Sequence, residues 1–284
     1  MADAGLLDPR TVRTLAAELD LRPSKQRGQN FVVDPNTVRR IVALSGVRPG
    51  EVVLEVGPGL GSLTLGLLEA GARVVAVEIE SSLAGRLRRT VSDRLPDAVD
   101  RLTVVEADAL RVTALDPMPT RVVANLPYNV SVPVILHLLA TFPSIVSGLV
   151  MVQLEVADRL VAPPGSKVYG TPSAKLAWYA SASRVGTVPA SVFWPVPNVE
   201  SGLVAFTRRE PPSTTDRLAV FTVVDAAFGQ RRKMLRAALA GVFGSSAAAT
   251  EALERAGVDP TLRGETLAIG QFAAIADQLA GRRS

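Results

Sequence analysis

Asn125-Leu126-Pro127-Tyr128 combines residue types suited to chemistry on a planar amine. The motif follows the apolar run Arg121-Val122-Val123-Ala124, which reads as a buried parallel strand. Amide and ring therefore fall at a strand's carboxyl end, where open α/β sheets bind ligands. The exocyclic amine of a base such as adenine is a poor nucleophile, because its lone pair is delocalised into the ring. Two acceptors, the Asn125 side-chain oxygen and the Leu126 carbonyl, could hold both N–H groups, favour a pyramidal nitrogen and aim the lone pair at an electrophile. Pro127 has no N–H and a fixed φ, which stiffens the loop. Tyr128 could stack on the face of a base taken out of its helix. Taken alone, the same residues also describe a strand, an Asn-x-Pro turn and an incidental tyrosine.

A second group of residues precedes it. Val52–Val56 reads as a first strand, Gly57-Pro58-Gly59-Leu60-Gly61 as a glycine turn, and Ser62 onward as a helix running to Gly71. The next strand, residues 73–77, ends in Glu78, 21 residues after Gly57, a spacing at which a carboxylate meets a ribose diol. The glycines depart from the dinucleotide fingerprint, and Glu55 stands two residues before the first of them. A carboxylate there would repel a pyrophosphate but could hold an amino group. A ligand with a ribose, an adenine, a zwitterionic amino acid and no phosphate satisfies these conditions, and S-adenosylmethionine is such a ligand. The third strand, Leu102–Glu106, is followed by Asp108, placed to accept from the adenine amino group.

Positioning these groups requires an α/β fold, a Rossmann-like sheet of the class I S-adenosylmethionine-dependent methyltransferase type. Residues 10–20 have helical apolar spacing and lead into the basic loop Lys25-Gln26-Arg27-Gly28-Gln29-Asn30-Phe31, after which Asp34-Pro35 opens another helix. Lys25 and Arg27 read either as RNA contacts or as plain solvated charges. A fifth strand to about 152, helices near 154–161 and 172–180, and strands near 182–188 and 199–207 complete the first domain. The Pro-rich link Phe193-Trp194-Pro195-Val196-Pro197 joins the last two strands. Residues 210–216, rich in Pro, Ser and Thr, mark the boundary between domains at 1–209 and 210–284. The second domain reads as all helical, over 217–228, 231–241, 247–256 and 270–280, with Asp259-Pro260 as a further helix start. Arg231, Arg232, Lys233 and Arg236 gather at one expected helix start, where like charges oppose the dipole. An RNA phosphate would offset that cost; the alternative is a solvated basic face.

Composition narrows the classes. The chain has 284 residues, 31 Lys and Arg against 27 Asp and Glu, and a pI near 9.8, a balance that favours a polyanionic partner. Absence of cysteine and a single histidine, His137, argue against a resident metal, and His137 in its apolar run reads as structural. The first residues carry no signal-peptide pattern, and no apolar run approaches the ~18 residues of a membrane span, so a cytoplasmic protein is expected; the chain is expected to act as a monomer.

Taken together, the chain resembles the ribosomal RNA adenine N6-dimethyltransferases. The resemblance rests on Gly28-Gln29-Asn30-Phe31, on residues 55–64, on Glu78 and Asp108, and on Asn125-Leu126-Pro127-Tyr128-Asn129-Val130-Ser131. It extends to Gly165-Ser166-Lys167-Val168-Tyr169-Gly170, to residues 193–201, and to Phe228-Gly229-Gln230-Arg231-Arg232-Lys233. The last two basic segments favour the enzymes acting on small-subunit (16S) rRNA over the 23S rRNA methylases of macrolide resistance. The resemblance implies dimethylation of two adjacent adenosines in a hairpin near the 3′ end of 16S rRNA, on an assembling 30S subunit. It also implies that Asn30, Val32, Gly57, Glu78, Asp108 and Asn125 line the cofactor site, with Gly59 and Gly61 in the same turn, and that Tyr128 and Phe193 sandwich the target base. Val32 stands where the family has Leu, and Leu154 where a basic residue is common. A ribosome-assembly or transcription factor that keeps the fold for RNA binding is the rival class.

Overall fold

β-branched runs alternate with Leu- and Ala-rich stretches over most of the first 150 residues, the pattern from which a parallel sheet covered by helices is built. The computed structural model describes residues 5–21 and 30–280. In chain order the elements are α1 (Pro9–Glu18), β1 (Phe31–Val32), α2 (Pro35–Ser45), β2 (Val52–Val56), α3 (Ser62–Glu69), β3 (Arg73–Glu78), α4 (Ser81–Arg94) and β4 (Leu102–Glu106). There follow β5 (Arg121–Asn125), α5 (Ser131–Thr141), β6 (Ser147–Gln153), α6 (Leu154–Leu160), α7 (Thr171–Tyr179), β7 (Ala180–Val188), β8 (Phe193–Trp194) and β9 (Ser201–Arg208). Among the described residues the remaining α-helices are α8 (Arg217–Gly229), α9 (Leu235–Ala238), α10 (Ala240–Phe243), α11 (Ser246–Arg255) and α12 (Ile269–Ala280).

The chain groups into two units. One runs to Ala157 and includes Ser183–Arg208; the other comprises Asp158–Ala182 and the chain from Arg209. The break near residue 209 lies where the Pro-rich linker begins, but Asp158–Ala182, expected in the first domain, falls in the second unit. The cause is packing. Lys175 ion-pairs with Asp225 at 2.7 Å, Trp178 and Tyr179 set their rings edge-on to Phe221, and the buried Tyr169 hydroxyl donates to the Leu267 carbonyl at 2.9 Å.

In the first unit the large sheet has the order β4-β3-β2-β5-β6-β9-β7, with β4, β3, β2, β5 and β6 parallel and β9 antiparallel to β6. The chain adds β3 and β4 on one side of β2, then crosses to place β5 and β6 on the other, so the strand order reverses between β2 and β5. Ligand crevices of open α/β sheets lie outside the carboxyl ends at such a point. Leu54, Val75, Val123 and Val152 lose all exposure in the strand cores. Burial of this kind contributes about 1.5–3 kcal/mol per side chain.

The helices are seated by local chemistry. Asp34 caps α2, its carboxylate accepting from the Asn36 and Thr37 amides at 3.3 and 2.9 Å, and Gly46 ends the helix in the left-handed region. Arg208 closes α5 by donating to the Leu139 and Phe142 carbonyls at 2.8 and 3.0 Å. His137 Nε2 pairs with the Val112 carbonyl at 2.9 Å, a structural placement on α5.

The structure contains a two-stranded sheet that the sequence reading omits. In it β1 pairs antiparallel with β8, Phe31 opposite Trp194 and Val32 opposite Phe193. The Pro-rich link is therefore in part a strand. In the second unit, the expected helix over 231–241 is instead a turn at 230–233 followed by the short α9 and α10. The amides of Leu235 and Arg236 donate outward to the Leu262 and Pro260 carbonyls, at 2.7 and 3.2 Å, which spends them on the later segment 260–262 of the same chain. Asp259 likewise starts no helix: its carboxylate accepts from the Thr261 amide and hydroxyl at 2.8 and 2.7 Å and closes a turn.

Candidate active site

A cavity of about 780 Å³ opens at the carboxyl ends of β2, β3, β4 and β5, within the size range of small-molecule sites. Asn30, Val32, Glu55, Gly57, Gly59, Glu78, Asp108, Asn125 and Pro127 all line it. Gly61 does not; it caps α3 with φ 97° against the Leu87 side chain. Ser62, Leu63, Ile79, Asn129 and Val130 line the cavity as well, and the sequence reading assigned them no role there. Ile79 had a signal: an apolar residue directly after the strand-end acid, here 68% exposed.

Each carboxyl has a distinct setting. Glu55 is buried and accepts from the Thr64 hydroxyl at 2.6 Å; burial, then the nearby Glu78 charge, pushes its pKa up to about 8. Glu78, also buried, accepts from the Gly59 amide at 3.2 Å and the Glu80 amide at 3.0 Å. Desolvation still holds its pKa above the usual carboxylate value. Asp108 accepts from the Leu110 amide at 2.9 Å and faces Arg111 at 3.6 Å, a turn that fixes its position at the strand end.

At β5, the Asn125 Nδ2 donates to the Asn30 carbonyl at 3.0 Å. With the nitrogen committed, Oδ1 is the end left to accept a ligand N–H. Leu126 is buried, its amide donating to the Met151 carbonyl at 3.1 Å, which ties the loop to β6. Tyr128 is half-buried, with its hydroxyl 2.9 Å from Ser201 Oγ, and desolvation raises its pKa.

Two expectations need correction. Phe193 is 2% exposed: the β1–β8 pairing sets it across from Val32, and both residues belong to the hydrophobic core. Its ring offers no open face for a base in this structure. The basic group at 231–236 precedes not a long helix but the four-residue α9, with Lys233 next to its N-cap Met234 and only Arg236 inside it, and its members differ in setting. Arg231 is engaged in the fold, pairing with Glu265 and donating to the Lys167 carbonyl, each at 2.8 Å, whereas Arg232, Lys233 and Arg236 are exposed. Lys25 and Arg27 lie outside the described residues.

Comparison with known proteins places this geometry in a family setting. Residues 21–281 match the family described as ribosomal RNA adenine dimethylase. The chain is 60% identical to ribosomal RNA small subunit methyltransferase A of Cutibacterium acnes, over 99% of this chain and 96% of the relative. It is 62% identical to the protein of the same name from Thermobifida fusca, over 97% of each. Among solved structures it resembles a dimethyladenosine transferase from Plasmodium falciparum, with a TM-score of 0.75, 22% identity and coverage of 88% and 97% of the two chains. It also resembles the 23S rRNA methyltransferase ErmE, with a TM-score of 0.62, 26% identity and coverage of 88% and 100%.

Proposed function

The chain belongs to the ribosomal RNA adenine dimethylase family, and we propose on that footing that it methylates two adjacent adenosines at N6 in a hairpin near the 3′ end of 16S rRNA. The substrate in this reading is the assembling 30S subunit in the cytoplasm, the enzyme acts as a monomer, and S-adenosylmethionine is the methyl donor. The cavity's donor set fits that molecule. Glu78 and Asp108 stand at adjacent strand ends as acceptors for a ribose diol and an adenine amine, and Glu55 sits beside the glycine turn as partner for an ammonium. When bound, S-adenosylmethionine supplies an electrophilic methyl group.

The observation that carries the reading is the orientation of Asn125. Its amide nitrogen is spent on the Asn30 carbonyl, so Oδ1 and the neighbouring Leu126 carbonyl are the acceptors for the two N–H groups of the target amine. Holding those hydrogens favours a pyramidal nitrogen with its lone pair available. Because the acceptors are fixed by β5 and by the link to β6, little reorganisation is required during reaction. Tyr128 stacks on the base from one side. Arg232, Lys233 and Arg236 contact RNA phosphates, as do Lys25 and Arg27 of the basic N-terminal segment.

Tritium transfer from labelled S-adenosylmethionine tests this. Small subunits lacking the modification should accept label in rRNA adenines, whereas 23S rRNA and large subunits should not. Asn125→Ala should keep cofactor affinity within a few-fold and lose at least about a hundredfold in rate, as for removal of a preorganised polar group at a reacting centre. Label in large subunits only would support the 23S reading. No transfer to either, with RNA binding intact, would support the assembly-factor reading.

A further inference from the structure

We propose that Ser201 is a positioning residue for the reaction, acting through Tyr128. This rests on the reading above, in which Tyr128 stacks on the target base. Ser201 is fully buried at the start of β9, opposite Gln153 of β6, and its Oγ lies 2.9 Å from the Tyr128 hydroxyl. The same strand β6 pairs with β5, placing Met151 opposite Asn125. One continuous ladder thus carries both the acceptor Asn125 and the anchor of the tyrosine.

A tyrosine hydroxyl lies on the axis about which its ring flips, so a hydrogen bond there leaves the flip free but fixes where the far end of the ring stands. Tyr128 is fixed at its near end by the loop after Pro127. With both ends held, the distance between the ring face and the Asn125 and Leu126 acceptors is set before a base arrives. A phenylalanine would stack as well but would leave its tip unanchored and Ser201 Oγ buried without this partner. Among the described residues neither hydroxyl has another side-chain partner. A serine present only to satisfy itself could instead bond a local carbonyl, as Ser45 does with Val42.

The test is a double-variant cycle read at saturating RNA and cofactor. Ser201→Ala and Tyr128→Phe should each lower kcat by about fivefold to tenfold, the effect of one neutral hydrogen bond. The combined variant should fall no further than either alone. Cofactor affinity by calorimetry should be unchanged, because neither residue lines the cofactor cavity. Ser201→Cys, similar in shape but a weak partner, should be intermediate. If Ser201→Ala does not fold, Tyr128→Phe with Ser201→Cys carries the same cycle. Losses that multiply in the double variant, or a Ser201 variant with wild-type kcat, overturn the proposal. Tyr128→Ala separates the two layers. Wild-type turnover in that variant removes the stacking role, and with it the role of Ser201, whereas an inactive Tyr128→Ala beside a wild-type Ser201→Ala rejects Ser201 alone.

Discussion

Glu55 illustrates how one buried group can link ligand binding to pH. It is 1% exposed, and burial with the Glu78 charge outweighs the Thr64 hydrogen bond to push its pKa up to about 8. Near pH 7 this buried setting holds it largely protonated. An ammonium arriving beside it favours the carboxylate, so binding of an amino-acid-bearing nucleoside near pH 7 should expel a proton. Calorimetry near pH 7 in buffers of different ionisation enthalpy should count close to one proton released per ligand, and none for Glu55→Gln. Equal proton counts would remove Glu55 from the ammonium's partners. The linkage has a stability side. The folded pKa lies above the ordinary value of 4.5, so the stabilisation is complete below that value and is lost as pH rises through about 8. Each unit of displacement is worth about 1.4 kcal/mol. Melting curves of Glu55→Gln should consequently be flatter across that window. Glu55, Glu78, Asp108 and Asn125 were legible in the sequence because each sits at a fixed offset from the end of an apolar run. Ser201 was not, since its partner is 73 residues away and no local pattern joins them.

At the scale of elements, the small β1–β8 sheet contributes Phe31 and Val32 to the lining of the cavity. It has two residues per strand, too few for any alternation to be read, and Phe193 was therefore expected on a loop when it belongs to a strand. The larger strands were legible, being runs of β-branched residues, and so was α2, marked by Asp34-Pro35. Pairing with β8 holds Phe31 against the glycine turn: a Cβ added at Gly59 would stand 2.7 Å from the Phe31 ring, on a backbone with φ 58°. At Gly57, φ is 67° but the nearest atom, on Pro127, is 3.7 Å away. Two similar substitutions should thus differ. Gly57→Ala bears only the left-handed backbone cost, about 1–2 kcal/mol. Gly59→Ala adds overpacking of a further ~1–3 kcal/mol and should displace the Asn30–Val32 segment that orients Asn125. Urea unfolding of both variants checks this; equal losses would show that Phe31 yields readily and that the β1–β8 sheet does not constrain the turn.

For the whole molecule, the excess of basic residues bears on how an rRNA substrate would be held, and the structure divides the basic group at 231–236 by setting. Arg231 ties Glu265 and the Lys167 carbonyl together within the second unit, while Arg232 and Lys233 project from a turn. The sequence showed these residues as one cluster because spacing along the chain carries no trace of an ion pair formed 34 residues away. Their variants should separate accordingly. Arg231→Ala should lower the melting temperature modestly, because an ion pair at 41% and 32% exposure is worth about 1 kcal/mol or less. Replacing Arg232 and Lys233 together by Ala should leave melting unchanged, since neither supports the fold. If both contact phosphates, each lost charge removes close to one released counterion, so the slope of log affinity against log salt on 30S particles should become shallower by about one to two units. Cofactor affinity should stay the same, and methylation should recover at saturating RNA, because the residues around Asn125 are untouched. A salt titration of the Arg232→Ala, Lys233→Ala variant that superimposes on wild type would reduce this turn to a solvated basic face and shift the search for phosphate contacts to Arg236 and the segment holding Lys25 and Arg27.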